Sequence, residues 1–258
     1  MDLQRIHDAA VAAAKRAGAA IRGYYKAAYA VRDKGEDNPV TDADLAANRI
    51  LDEALRPVDP DAGWLSEESV ADPGWHTRPR AWIVDPLDGT REFTKGIPEF
   101  VVAVGYAVEG EARVGVLLNP VTGELFSGIV GVGAWIDGAP ARPSTQAILP
   151  GARIVCSRSE VAKGLFEAYA SKIEVVAVGS VAYKLGLVAA GRADASFTPR
   201  PRHAWDIAAG VAIVTAAGGR VTDRHGRPYR FNVAESLQDG VCATNGPLHD
   251  AVLALLAL

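Results

Sequence analysis

Trp82-Ile83-Val84-Asp85-Pro86-Leu87-Asp88-Gly89-Thr90-Arg91-Glu92-Phe93 carries more structural information than any other part of this chain. The apolar run from Ala81 to Val84 predicts a strand that ends on Asp85. Pro86 and Gly89 then force a tight turn, and Asp88 and Thr90 follow at once. A carboxylate at a strand end beside a helix start suits a cation next to a bound anion, because the first backbone amides of a helix lack internal partners. An ordinary turn is the competing reading, since Asp-Gly is a common turn signal. Asp137-Gly138 and Asp239-Gly240 read as turns of that plain kind.

The chain has 258 residues, 49% hydrophobic and 22% charged, which is ordinary for a globular protein with a large core. The expected organisation is one compact domain over residues 1–258 in two halves, at about 1–145 and 151–258. The Pro- and Gly-punctuated segment from Ser144 to Gly151 divides them. The formal net charge is −4, and Lys and Arg are dispersed, so no basic stripe points to a nucleic acid polymer as partner. Cys156 and Cys242 lie far apart with no zinc-like spacing, and both read as buried thiols in a reducing compartment. The start of the chain lacks the basic flank and apolar core of a secretory signal. No apolar segment reaches the ~20 residues needed to span a bilayer. The expectation is a cytoplasmic protein without membrane insertion.

Helical spacing of Leu3, Ile6, Ala10, Ala14, Ala17 and Ile21 predicts a helix over residues 2–26. The charged segment from Arg32 to Pro39 reads as a solvated loop. Thr41, with Asp44 three residues on, predicts the N-cap of a second helix from about Asp42 to Leu55. Gly63 to Ser66 reads as a short strand leading to Glu67-Glu68. Alternating apolar runs at Val101–Val108, Ala112–Leu118, Glu124–Val130 and Ala134–Asp137 predict an antiparallel meander. The run from Gly128 to Gly133 has the wrong glycine order and the wrong context for a dinucleotide loop. In the second half, strands are expected at Arg153–Cys156, Glu174–Val178, Ala193–Thr198, Gly219–Thr222 and Val241–Ala243. Helices are expected at about Val161–Ala170, Val181–Ala190, Trp205–Ala217 and over residues 248–258. The fold class is therefore a layered α/β or α+β architecture.

Three predicted elements end or begin in acids: Glu67-Glu68, Asp85 with Asp88, and Asp206. Ligands gather at the carboxyl ends of strands in open α/β sheets, and converging carboxylates repel one another unless a cation lies between them. An all-oxygen set favours a hard cation such as Mg²⁺ over zinc. Taken singly, the acids are better explained plainly: Glu67-Glu68 as a solvated loop, Asp88 as a turn former and Asp206 as a helix N-cap.

Taken together they form a pattern. Leu65-Ser66-Glu67-Glu68-Ser69, Asp85-Pro86-Leu87-Asp88-Gly89-Thr90 and Trp205-Asp206-Ile207-Ala208-Ala209-Gly210 occur in the order and at about the spacing of the inositol monophosphatase superfamily. With Pro39-Val40-Thr41-Asp42-Ala43-Asp44 and Gly179-Ser180, the chain resembles these lithium-sensitive, magnesium-dependent phosphomonoesterases over its whole length. The resemblance implies a layered αβαβα sandwich of the inositol monophosphatase and fructose-1,6-bisphosphatase type, with two or three Mg²⁺ per active site. It implies that Glu67, Asp85 and the Leu87 carbonyl hold a first ion and that Asp85, Asp88 and Asp206 hold a second. Glu67 also matches a position that helps hold a third. Gly89 and Thr90 match the amides that receive the substrate phosphate. Asp44 matches an acid that pairs with the Thr90 hydroxyl and helps to orient the attacking water beside Glu67. Lys34 falls in a loop that closes over the metals in the family. A homodimer is the assembly left open.

The substrate is a small phosphorylated metabolite, and two features bear on which. Inositol enzymes carry a Glu seven residues before the Trp-Asp aspartate, where this chain has Pro199. In its place stands Thr198-Pro199-Arg200-Pro201-Arg202-His203, whose arginines suit a second phosphate. A surface loop with fortuitous charge is the plain alternative. Asp88-Gly89-Thr90-Arg91-Glu92-Phe93 and Ser157-Arg158-Ser159 resemble the bacterial 3′-phosphoadenosine 5′-phosphate phosphatase branch. The expected substrate-binding set is thus Asp88, Gly89, Thr90, Ser157, Gly179, Ser180, Arg200, Arg202, His203 and Asp206, with Tyr183 and His203 as candidates to stack on adenine. The alternatives are inositol 1-phosphate, fructose 1,6-bisphosphate or histidinol phosphate as substrate, or a non-catalytic metal- or phosphate-binding protein.

Overall fold

The computed structural model describes residues 2–33, 35, 39–169 and 171–256. Helix α1 (Leu3–Tyr24) is capped by Asp2, whose carboxylate accepts from the amides of Gln4 and Arg5. Strands β1 (Val31–Asp33) and β2 (Pro39–Thr41) pair antiparallel. The segment read as a loop is therefore partly two short strand arms, the exposed β1 pairing with the more buried β2 through backbone hydrogen bonds that the charged side chains do not disturb. Thr41 and Asp44 form the capping box that starts α2 (Asp42–Leu55).

A seven-stranded sheet follows, in the order β3 (Gly63–Ser66), β4 (Arg80–Asp88), β5 (Val101–Val108), β6 (Glu111–Leu118), β7 (Leu125–Ile129), β8 (Gly133–Ile136) and β9 (Ala139–Pro140). Between β4 and β5 lies α3 (Thr90–Thr94). Strand β4 does not stop at Asp85. It runs on to Asp88 through an irregular register between those two residues, where Pro86 lacks an N–H to pair.

The second half opens with β10 (Arg153–Ser157) and α4 (Arg158–Ala162). The helix expected to Ala170 is broken: Gly164 adopts φ +76° just past the α4 cap, and a short 3₁₀ turn at Glu167–Tyr169 follows. Ala170 itself lies outside the described residues. Next come β11 (Glu174–Val178), α5 (Val181–Ala189), β12 (Ala195–Thr198), β13 (Arg202–His203), α6 (Ala204–Ala217), β14 (Arg220–Thr222), β15 (Leu237–Gln238), β16 (Val241–Thr244) and α7 (His249–Leu256). Five of these strands form a sheet in the order β11-β10-β12-β16-β14, and β13 pairs with β15.

The alternation of side chains sorts the core into layers. Trp82, Val84, Val102, Val104, Val114 and Val116 face α1 and α2, together with Leu51 and Ile21. Ile83, Val101, Ala103 and Leu117 face the opposite way, onto α5 and α6, which also receive Val155, Val241 and Ala243 from the five-stranded sheet. The outer face of that sheet packs Ile154, Cys156, Phe197 and Cys242 against Leu248, Val252 and Leu255. The result is an αβαβα sandwich. Cys156 and Cys242 are buried free thiols. No helix of the described residues is long and apolar enough to cross a membrane.

Helix α6 approaches the large sheet unusually closely. Gly105, Gly115 and Gly128 are cross-strand neighbours on β5, β6 and β7. A Cβ added at Gly105 would lie 2.9 Å from Ala208 Cβ, and one at Gly128 would lie 3.0 Å from Ile213 Cα. On the other side of α6, a Cβ at Gly210 would lie 2.6 Å from Leu185 Cβ. Small residues at these contacts set the height of α6 and hence where its first turn, carrying Asp206, meets the sheet.

Candidate active site

Parallel pairing of β3 with β4 places Ser66 opposite Val84. The residues that follow, Glu67 and Asp85, therefore leave the sheet side by side, and the Glu67 amide donates to the Val84 carbonyl at 3.3 Å. Three residues on, the end of β4 delivers Asp88. The first turn of α6 supplies Asp206, whose Oδ2 accepts from the His203 amide at 3.0 Å. Carboxylate oxygens of Asp85, Asp88 and Asp206 all come within 4.8 Å of one another. All three and Glu67 line a cavity of about 400 Å³, together with Leu87, Gly89, Thr90, Ser157, Gly179, Ser180, Lys184 and Arg202.

Each acid of the cluster is held by donors. Asp85 Oδ1 accepts from the Leu87 amide at 2.9 Å. Asp88 Oδ2 accepts from the Ser180 hydroxyl at 2.6 Å and from the Ala182 amide at 2.5 Å. Burial pushes the Asp85 carboxyl well above the usual range, and the charges of Glu67, Asp88 and Asp206 push it further. Burial and the neighbouring Asp88 do the same to Asp206, and burial raises Asp88 against its hydrogen bonds. A site that strains to keep three buried carboxylates ionised is relieved by a cation among them. The donor set is all oxygen, so the residues fit a hard cation.

Beside this cluster the Thr90 hydroxyl donates to Asp44 Oδ1, 2.9 Å away. Asp44 is 1% exposed, and its other oxygen accepts from the Thr41 amide at 2.8 Å and the Thr41 hydroxyl at 2.6 Å. One carboxylate thus caps α2 and fixes Thr90. Burial raises the Asp44 carboxyl, and the hydrogen bonds from Thr41 and Thr90 pull against it. Gly89 takes φ +104°, and a Cβ there would lie 2.9 Å from Phe100 Cβ, so the turn requires glycine.

Not every expected residue reaches the cavity. Arg202 lines it, with one guanidinium nitrogen on Glu160 Oε1 at 2.7 Å, but Arg200 is exposed and does not. His203 turns away: its ring stacks on Trp205 with centroids 4.3 Å apart, and Nδ1 meets Ser236 Oγ at 3.0 Å. Tyr183 donates to Glu124 Oε2 at 2.9 Å and packs near Phe126, outside the cavity. Lys34 lies outside the described residues.

Lys95 and Lys184 reach the cavity without having been singled out in the sequence, and Glu92 and Arg158, read there only as marks of a branch, line it too. Glu99, close by, accepts from the Gly179 amide at 2.7 Å and from Arg158 at 2.5 Å. The one available signal for Lys184 was a lone cation in the otherwise apolar run Val181 to Ala190.

Comparison with known proteins agrees with this architecture. A model described as the inositol monophosphatase family matches residues 2–257. Inositol monophosphatase 3 of Solanum lycopersicum is 35% identical over 266 residues, covering 98% of this chain and 97% of its own length. The 3′(2′),5′-bisphosphate nucleotidase CysQ of Escherichia coli (strain K12) is 37% identical over 234 residues, covering 86% of this chain and 92% of its own. The solved structure of inositol monophosphatase from Anabaena superposes with a TM-score of 0.85 at 30% identity, over 100% of this chain and 97% of that one. A fold, an acidic cluster and a sequence match that runs nearly end to end converge on one conclusion: the chain belongs to the inositol monophosphatase family.

Proposed function

We propose that this phosphatase is a Mg²⁺-dependent phosphomonoesterase acting on the 3′-phosphate of 3′-phosphoadenosine 5′-phosphate or of its sulfate ester, the former giving AMP and phosphate. The observation that carries the phosphatase reading is the meeting of Asp85, Asp88 and Asp206 within 4.8 Å beside the Gly89-Thr90 turn. Glu67, Asp85 and the Leu87 carbonyl would hold one Mg²⁺, and Asp85, Asp88 and Asp206 another. Bound there, the ions would neutralise phosphate oxygens and favour ionisation of water.

The chain's own residues do the rest. The amides of Gly89 and Thr90 receive phosphate oxygens. Glu67 and Thr90 orient the attacking water, and Asp44 keeps the Thr90 hydroxyl from rotating away. As the water oxygen bonds to phosphorus in line with the ester and gives up a proton to solvent, the bond from phosphorus to the 3′-oxygen breaks, and that oxygen leaves on the side of Asp206, taking a proton from solvent in return. Near-attack geometry of this kind depends on side chains that cannot drift, which is what the doubly bonded Asp44 and Asp88 provide.

Substrate choice rests on the basic rim. Arg91, Lys95, Arg158 and Arg202 line the same cavity as the carboxylates, giving cationic partners for a second phosphate. Pro199 stands where the inositol enzymes carry a hydroxyl-binding Glu, and the likeness to the bacterial nucleotidase supports the same branch. A polyol phosphate such as inositol 1-phosphate is the second reading, supported by the more extensive match to the tomato inositol monophosphatase at similar identity.

A substrate panel at fixed Mg²⁺ separates them. Phosphate release from 3′-phosphoadenosine 5′-phosphate is expected to exceed that from inositol 1-phosphate, fructose 1,6-bisphosphate and histidinol phosphate, with inhibition by Li⁺. Much faster release from inositol 1-phosphate overturns the nucleotide reading and leaves the phosphatase reading standing.

A further inference from the structure

Lys184 lies one helical turn beyond Ser180, is only 6% exposed, and lines the cavity. Its ammonium donates to the carbonyl oxygens of Ser180 and Val178, the latter at 3.5 Å. A buried ammonium is costly unless carbonyls and carboxylates surround it. Here Asp88, Glu160 and Glu92 supply negative charge, while Arg202 opposes.

Ser180 needs such a hold. It adopts φ +58° and ψ 135°, a region that a residue with a Cβ seldom enters unless its surroundings impose it. Its hydroxyl accepts from the Tyr183 amide at 2.9 Å, capping α5, and donates to Asp88 Oδ2 at 2.6 Å. The strained residue therefore has its side chain tied to Asp88 and its carbonyl tied to Lys184. If the carbonyl were released, the backbone could relax toward an ordinary conformation and carry the hydroxyl off the carboxylate.

We infer that Lys184 is a positioning residue: by holding the Ser180 carbonyl it keeps the Ser180 hydroxyl and the Ala182 amide on one oxygen of Asp88, leaving the other for a cation. This rests on the reading of Asp88 as a metal ligand. It assigns Lys184 a role through Ser180, distinct from direct contact with a substrate phosphate, which its place in the cavity lining would also permit.

The test measures cation binding without substrate, by calorimetric titration of Mg²⁺ into wild type, Lys184→Met, Ser180→Ala and the double variant, with thermal melting as a check on folding. Each single variant is expected to bind Mg²⁺ about tenfold or more weakly, the range typical of partners that orient a ligand. The double variant is expected to be no weaker than the weaker single, because both changes break one linkage. Lys184→Arg, which retains donors for the carbonyl, is expected to recover part of the affinity. Should Lys184→Met fail to fold, Lys184→Gln, which loses the charge and the reach, takes its place.

Mg²⁺ affinity unchanged in the Lys184 variants, with only the KM for a bisphosphate raised, overturns the inference in favour of direct substrate contact and leaves the metal-site reading intact. Additive losses in the double variant overturn it as well. A wild type that binds no divalent cation refutes the metal-site reading and this inference with it.

Discussion

Asp88 meets two demands at once. One oxygen is taken by the Ser180 hydroxyl and the Ala182 amide, and the carboxylate still lies within reach of Asp85 and Asp206. Asp88→Asn keeps the shape and removes the charge. Turnover is expected to fall by more than the roughly 10–100-fold typical of residues that merely support a ligand, with the melting temperature held or raised, since one buried repulsion is gone. A near wild-type rate at saturating Mg²⁺ would contradict the assignment. Thr90→Ala frees the Asp44 oxygen that the hydroxyl now occupies, and kcat is expected to drop by about a hundredfold, the scale set by misplaced reacting groups. Thr90→Ser keeps the donor and should retain most of the rate.

His249 gives a pH dependence that is separate from the site. It is 1% exposed, its ring nitrogens meet Thr222 and Thr244 hydroxyls at 3.0 and 3.1 Å, and burial pushes its pKa down to about 4. The unfolded chain, with an ordinary histidine, binds the proton first as pH falls. Folding stability from this group is therefore intact above about pH 6.5 and declines toward pH 4, by up to about 3 kcal/mol. His249→Gln should flatten that part of a melting-temperature profile; an unchanged slope would show that other groups carry it.

At this scale the sequence was legible where an acid stood at the end of an apolar run, as with Asp85. It was opaque where the role depends on a contact between distant elements. The strained backbone of Ser180 and the buried ammonium of Lys184 both arise from packing α5 beside β4, which no local pattern encodes. Arg200 and Arg202 look equivalent in sequence, yet the β13–β15 pairing directs one inward and leaves the other exposed.

Among the elements, α6 has the largest influence on the site because it carries Asp206 and lies between both sheets. Its closeness depends on the glycine row of β5, β6 and β7. A Cβ at Gly115 would press on the Ala209 carbonyl oxygen. Gly115→Ala is expected to destabilise the fold by about 1–3 kcal/mol through overpacking and to weaken Mg²⁺ binding as the helix lifts. Denaturant unfolding and calorimetric titration check the two effects, and a variant that loses neither would show that α6 has slack. The amphipathic and alternating periodicities of α1, α2 and the meander made these elements readable, since each has one buried face. The helix expected from Val161 to Ala170 was misjudged because its apolar spacing outweighed Gly164, whose left-handed backbone ends α4. The β1 and β2 arms were hidden because each spans only three residues, and β1 is exposed throughout, too little to show a burial pattern.

For the whole molecule, the two sheets come from successive parts of the chain, residues 63–140 and 153–244, and the cavity is lined from both. Glu67, Asp85 and Asp88 extend from the first; Asp206, Ser180 and Lys184 belong to helices associated with the second. The central claim is that this shared cavity becomes a phosphatase when a hard cation joins the carboxylates. The direct measurement is phosphate release from 3′-phosphoadenosine 5′-phosphate by chelator-stripped protein as Mg²⁺ is titrated back. The account predicts negligible release without the ion and a saturable return of activity with it, lost again in Asp206→Asn; undiminished release in the presence of chelator would contradict it.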